Sequence, residues 1–276
     1  MNTAHDTPMD STLDASVAQP IPLLQAEHLV KQFGDFTAVN DLSLAVQAGE
    51  VLGVLGPNGA GKTTTISMCT GLLRPTAGSV RIAGHDVVKE SQRVKPLIGY
   101  VPDQPYLYER LTGREFITLM GELYGATDQL AARVDQLLAY FDLQDAAGNQ
   151  IAGYSHGMKQ KTALSGALIH NPQLLFLDKP TVGLDPRSAR LLKDTIRSLA
   201  KQGRAVLLCT HILEIAQAIC DRVAIIDAGR LIAQGSLDEL RRTSHAGRDE
   251  SLEDIFLRLT GDSEEDRDVA RELALP

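Results

Sequence analysis

The chain has 276 residues, 43% of them hydrophobic, 4% aromatic and 22% charged, with a formal net charge of -8. Such a composition excludes a disordered or fibrous chain and suits one large α/β domain with an elaboration, or two small domains. The charge sits at the ends: Asp6, Asp10 and Asp14 face no Lys or Arg in residues 1–22, and six acids outnumber Arg267 and Arg271 in residues 261–276, so the middle carries no basic stripe and nucleic acid is not an expected ligand.

Residues 1–22, rich in Thr, Ser, Asp and Pro, are expected to form a disordered tail, with folded structure beginning near Leu23. Alternation in Leu42–Val46 and Ser79–Ala83 predicts short antiparallel strands around a buried strand, Val51–Leu55. A helix is predicted over Thr64–Leu73. Between about 104 and 165 the pattern turns helical. Thr112 and Glu115 have capping-box spacing, Phe116, Leu119, Met120 and Leu123 form one stripe, and Val134, Leu137, Leu138 and Phe141 form a second.

Strand and helix then alternate again: Leu174–Leu177, a helix from Ser188 to Gln202 ended by Gly203, and Ala205–Cys209. A hairpin runs from Val223–Ile226 through Asp227, Ala228 and Gly229 to Leu231–Ala233. The expected organisation is therefore a tail over 1–22, a main α/β domain over 23–240 with a helical insert near 104–165, and an acidic C-terminal extension over 241–276. Strands separated by helices point to a mainly parallel sheet covered on both faces. Cys69, Cys209 and Cys220 are widely spaced and read as small buried hydrophobes in a reducing compartment. No secretory leader and no run of 18 apolar residues is present, so work at a membrane would need a partner.

The segment Gly56-Pro57-Asn58-Gly59-Ala60-Gly61-Lys62-Thr63, followed by Thr64, matches the phosphate-binding loop (Walker A) G-x-x-x-x-G-K-[ST] between a strand and a helix. A glycine-rich turn lets consecutive N–H groups face phosphates, and the helix adds its positive end. Lys62 would reach the β- and γ-phosphates, and the Thr63 hydroxyl would meet Mg2+, a hard cation that prefers oxygen. Asp178, at the carboxyl end of a predicted strand, is placed to hold the same ion.

With both halves in view, the chain resembles the ATP-binding cassette family over roughly Leu23 to Leu240. Tyr154–Gln160 is similar to the family's signature motif in a divergent form, Gly183-Leu184-Asp185-Pro186 to its D-loop, Thr210-His211 to its switch histidine, and Phe33 to its adenine-stacking aromatic. The resemblance implies an α/β fold, a P-loop NTPase (RecA-like) core with an antiparallel β subdomain and an inserted α-helical subdomain. It also implies ATP and Mg2+ as ligands. Phe33 would stack on adenine, His211 would position the attacking water, and Ser155 and Gly157 would meet the γ-phosphate of a second subunit, with Asp185 in the D-loop. The working unit would be a head-to-tail dimer, homomeric or heteromeric. It would be cytoplasmic and held on the inner face of the membrane by a separate permease subunit.

Two departures from the family bear on hydrolysis. Lys179 stands where the family has the glutamate that polarises water, and an ammonium has three donors and no acceptor. Loss of a general base costs about 10²–10⁴-fold in rate. The same cation would either attract the γ-phosphate or pair with Asp178 and weaken Mg2+ binding. Asp103 stands where the family has a glutamine ligand to Mg2+ and water, with Gln104 one residue later, and either could serve. Residues Gly99–Gly125, including Tyr106 and Tyr108, and Ser251–Phe256 look like cassettes of bacterial exporters, in which a groove receives a short helix of the membrane subunit. The two tyrosines are candidates for its wall or for half-buried packing. The leading expectation is the ATPase subunit of an exporter with impaired hydrolysis. The alternatives are an ATP-gated dimerisation module with little turnover and a soluble non-transport cassette, although neither tandem cassettes nor a coiled-coil insert supports the last.

Overall fold

A computed structural model of the chain describes residues 21–126, 129–181, 183–244 and 250–261. The expected tail therefore lies, up to residue 20, outside the described residues, as does the acidic stretch from 262. The described chain opens with β1 (Leu24–Phe33), β2 (Phe36–Val46), β3 (Val51–Leu55), α1 (Lys62–Cys69), β4 (Ala77–Ile82), β5 (His85–Asp86), α2 (Ser91–Val94) and β6 (Ile98–Val101). Three helices follow, α3 (Gly113–Leu123), α4 (Leu130–Tyr140) and α5 (His156–Leu168). The alternation then resumes with β7 (Leu174–Asp178), α6 (Pro186–Lys201), β8 (Ala205–Cys209), α7 (Leu213–Ile219), β9 (Arg222–Asp227), β10 (Arg230–Gly235), α8 (Leu237–Thr243) and α9 (Leu252–Thr260).

Two sheets organise these elements. One is antiparallel, in the order β2-β1-β4-β5, and the other runs β10-β9-β3-β8-β7-β6, parallel except for the β9–β10 hairpin. The strands expected around β3 thus do not pair with it. Leu24 of β1 pairs with Val46 on one side and Ile82 on the other, so both belong to the first sheet. The physical reason is their alternation: a half-polar strand suits a sheet with one solvated face, whereas Val51–Leu55, buried at all five positions, suits a parallel sheet covered twice. β1 has no clean alternation to betray it, because its pairing shifts register between Ala26 and Leu29 and again beyond.

The strands of the second sheet divide two cores by parity. Leu174 and Phe176 face a cluster with Leu24, Leu42, Leu52 and Ile66, while Leu175 and Leu177 face Phe116, Leu164 and the α6 residues Leu192, Ile196 and Leu199. Asp185 caps α6 with Pro186 in its first turn, the Thr112–Glu115 capping box opens α3, and α4 begins beyond the undescribed pair 127–128. A third cluster joins Leu55 and Ile225 to Leu240, Leu252 and Ile255. The boundary expected at 240 therefore falls inside α8, and the chain to α9 shares the core. Apolar residues at 252, 255 and 256 were embedded in an acidic stretch, whose charge masked them.

Candidate functional site

The carboxyl ends of β3, β8 and β7 lie side by side. Cys209 of β8 pairs with Val54 of β3 on one side and with Asp178 of β7 on the other. Everything that leaves these strand ends is brought to one edge of the sheet: the loop after β3, Thr210 and His211 after β8, and Asp178 and Lys179.

The loop from Gly56 to Gly61 rests on two neighbours. The Gly229 N–H in the β9–β10 turn donates to the Ala60 carbonyl at 3.1 Å, and a Cβ on Gly56 would meet the Ile226 carbonyl at 2.2 Å. Gly61 has φ +96°, and a Cβ there would lie 2.6 Å from the Ala38 carbonyl of β2. Glycine is required at both positions for contact rather than for flexibility alone. The hairpin was legible as a turn, but nothing local announced that it and Ala38 support this loop.

No side chain caps α1, so its first N–H groups remain available to an anion. Lys62 is buried, and its ammonium donates to the Gly56 carbonyl at 2.6 Å and the Pro57 carbonyl at 2.8 Å. Burial pushes its pKa down, and the charge of Lys179 acts in the same direction. The Thr63 hydroxyl donates to Asp178 Oδ2 at 2.8 Å. Thr64 is half-buried beside it, and Asn58 and Gly59 form the exposed crest of the loop.

Asp178 is 1% exposed, and its Oδ1 is buried with no hydrogen-bond partner among the described residues. Burial raises its pKa, against the Thr63 hydrogen bond and the Lys179 charge. A bare buried carboxylate oxygen is costly unless a cation or donor completes it, and the available set of hydroxyl and carboxylate oxygens fits a hard divalent ion. Tyr100 on β6 belongs to the same neighbourhood. Its phenol is pushed up to about 12, first by burial and then by the negative charge of Asp178.

Lys179 does not pair with Asp178, one of the two arrangements expected for it. Its Nζ lies 2.8 Å from Asp103 Oδ2, on the loop after β6, while Gln104 is exposed. The Lys179 backbone has φ +46°, a left-handed conformation unusual for lysine, and its N–H extends the ladder to the Cys209 carbonyl at 2.8 Å. The hydrogen bond to Asp103 is the main cause that raises the lysine pKa, so the side chain is an ammonium.

The remaining expected residues lie further out. Phe33 ends β1 opposite Phe36, is half exposed, and carries the Lys31 ammonium 5.1 Å from its ring centroid. Ser155 caps α5 by accepting from the Met158 N–H, and Gly157 follows in its first turn; both sit on the helical insert rather than at the phosphate loop. Asp185 accepts from the Arg187 and Ser188 N–H groups and from the Ser188 hydroxyl, and the bonds to Ser188 lower its pKa. His211 is exposed after β8, behind the Thr210 hydroxyl that accepts from the Ile212 N–H at 3.0 Å.

A groove runs between the core and the helical insert, lined among others by Leu72, Lys95, Tyr106, Tyr108, Tyr124 and His170. Tyr106 and Tyr108 are 91% and 61% exposed, and the Tyr108 ring lies 6.4 Å from that of Phe116. His170 stacks on Tyr124 and bonds the Ile98 carbonyl at 2.9 Å.

Comparison with known proteins gives a consistent result. The family described as ABC transporter matches residues 39–182. A daunorubicin resistance ATP-binding protein of Streptomyces coeruleorubidus is 44% identical over 232 residues, covering 84% of this chain and 72% of the relative. A linearmycin resistance ATP-binding protein of Bacillus subtilis is 39% identical over 219 residues, covering 79% and 70%. A solved ATP-binding subunit of an ABC transporter superposes with a TM-score of 0.82 at 33% identity, over 86% of this chain and 99% of that one.

Proposed function

The chain belongs to the ABC transporter family, and on that premise we propose that it is the MgATP-binding subunit of an exporter whose membrane part is a separate protein. One observation carries the reading of the site: the Thr63 hydroxyl meets Asp178 where Asp178 Oδ1 is buried and bare. Thr63 and Asp178 are the side chains that would hold Mg2+; Asp103, expected as a third ligand, is instead paired with Lys179. Bound there, the ion would neutralise charge on the phosphates and polarise them.

The chain's own residues account for the rest. Lys62 exchanges two loop carbonyls for phosphate oxygens, a stronger charge-assisted pairing. Phe33 offers a ring face to the base, and His211 offers a ring nitrogen to the γ-phosphate and the attacking water. Ser155 and Gly157 complete the site of a second copy or of a related subunit, so ATP closes the dimer head to tail. The relatives named for drug resistance support export as the direction. Among the described residues no helix is long and apolar enough to cross a membrane. The Tyr106–Tyr108 groove is therefore the surface offered to the membrane subunit, which would hold the chain at the cytoplasmic face.

Lys179 is charged and has no lone pair with which to accept a proton from water, so hydrolysis at this site is impaired. That side chain also favours a second reading, an ATP-gated clamp that closes without turnover. ATP-dependent dimerisation and steady-state turnover of the chain and of Lys179→Glu test both. Dimerisation of the chain is expected with slow turnover, and the carboxylate should raise turnover by about 10²–10⁴-fold. Unchanged turnover would show the account of position 179 to be wrong, and a rapid rate in the original chain would remove the clamp.

A further inference from the structure

We propose that Lys179 is a triphosphate-sensing latch: Asp103 holds its ammonium, and the γ-phosphate of a bound nucleoside triphosphate takes it over, freeing the loop that begins at Asp103. The inference rests on nucleotide binding at the phosphate loop and adds a signal that leaves it.

Location makes the exchange feasible. Lys179 directly follows Asp178, which is hydrogen-bonded to Thr63 in the phosphate loop, and its charge is felt at Lys62. Among the described residues, Asp103 is the side chain to which the Lys179 ammonium is hydrogen-bonded, and it is the partner Lys179 must give up. That pair is partly exposed, with its side chains 25% and 38% accessible, and exposed ion pairs are weak. A terminal phosphate offers more charge and three acceptor oxygens to the same ammonium. A nucleoside diphosphate lacks that group and leaves the latch closed.

The loop from Asp103 to Glu109 is tied at both ends to a lysine. Asp103 binds Lys179 at the end of β7, and Glu109 binds Lys159 of α5 at 2.6 Å. Between the ties stand Tyr106 and Tyr108, facing the groove. Opening the first tie while the second holds lets the Asp103 end move against a fixed Glu109 end. Triphosphate occupancy is thereby read out at the groove wall, through an ion pair that a glutamate at position 179 could not make.

Calorimetric titration with ATP and with ADP, each with Mg2+, on the full chain and on Lys179→Gln and Lys179→Arg tests the latch. Amide hydrogen exchange over residues 103–109 supplies a second readout. The chain is expected to bind ATP about tenfold to a hundredfold more tightly than ADP, the equivalent of one hydrogen bond to a charged group. Lys179→Gln should narrow that preference by weakening ATP alone, and Lys179→Arg should retain it. ATP, but not ADP, should speed exchange over 103–109. Lys179→Gln should exchange rapidly with or without nucleotide. An unchanged ATP-to-ADP ratio in Lys179→Gln would reduce Lys179 to loop glue and overturn the proposal. Equal exchange with ATP and ADP in the original chain would overturn it without reference to any variant. Failure of the original chain to bind either nucleotide would overturn the site reading as well, so the two failures are distinct.

Discussion

Thr63 and Asp178, 115 residues apart in the chain, are joined by a 2.8 Å hydrogen bond from hydroxyl to carboxylate. It ties the first turn of α1 to the end of β7 and leaves Asp178 Oδ1 without a hydrogen-bond partner among the described residues. Asp178→Asn keeps the shape and the acceptor for Thr63 but presents an amide in place of the second oxygen. The expected result is an ATP affinity that no longer improves when Mg2+ replaces a chelator, with the fold intact by circular dichroism. A Mg2+ gain equal to that of the original chain would remove Asp178 from the ion's ligands.

The phosphate loop depends on close contact at Gly56, where a Cβ would sit 2.2 Å from the Ile226 carbonyl. Gly56→Ala must push the loop off the β9–β10 hairpin, at a cost of about 1–3 kcal/mol in stability and with loss of nucleotide binding. Gly59 has φ +82° but nothing within 4 Å of an added Cβ, so Gly59→Ala should cost only the backbone strain, about 1–2 kcal/mol. Denaturant unfolding and nucleotide titration of the two variants separate the effects.

Ile255 is 0% exposed and belongs to the cluster with Leu55 and Ile225 beside the phosphate-loop strand. Ile255→Ala is expected to destabilise the chain by about 2–5 kcal/mol, as for other buried large-to-small changes. A urea midpoint close to that of the original chain would mean that α9 adds little to the core.

His170 supplies a pH signature. Its pKa is pushed below the ordinary 6.5 first by burial, against the bond to the Ile98 carbonyl, with the Arg133 charge assisting. Between the lowered folded value and 6.5 the unfolded chain binds more protons, so stability rises with pH. The neutral ring's contribution is full above 6.5 and is lost as pH falls through the folded value. The stability difference between the chain and His170→Gln, measured by urea unfolding, should therefore shrink on acidification from pH 7.5. A difference that stays constant would show that the ring does not titrate in this window.

Much of the site was legible because its chemistry is contiguous. Gly56 to Thr63 lie in one loop, and the strand before it and the helix after it follow from a buried run and a helical pattern. The Thr112–Glu115 box is local in the same sense, since a cap is made by residues two or three positions away; α6, by contrast, begins at Pro186 behind the Asp185 cap, two residues before the expected Ser188. Asp178 could be read from its place at the end of an apolar strand.

Sequence alone thus determined the glycine-rich loop, its strand and helix, an aspartate at the end of an apolar strand and the presence of a lysine where a carboxylate was expected. Only the tertiary structure decided that Lys179 pairs with Asp103, 76 residues away, rather than with its neighbour Asp178. It also decided that β1 gathers β2 and β4 into a separate sheet, and that α9 closes the core beside β3. Motifs and caps are short-range, set by backbone geometry within a few residues. Partners across the sheet are chosen by strand order and packing, which no local pattern encodes.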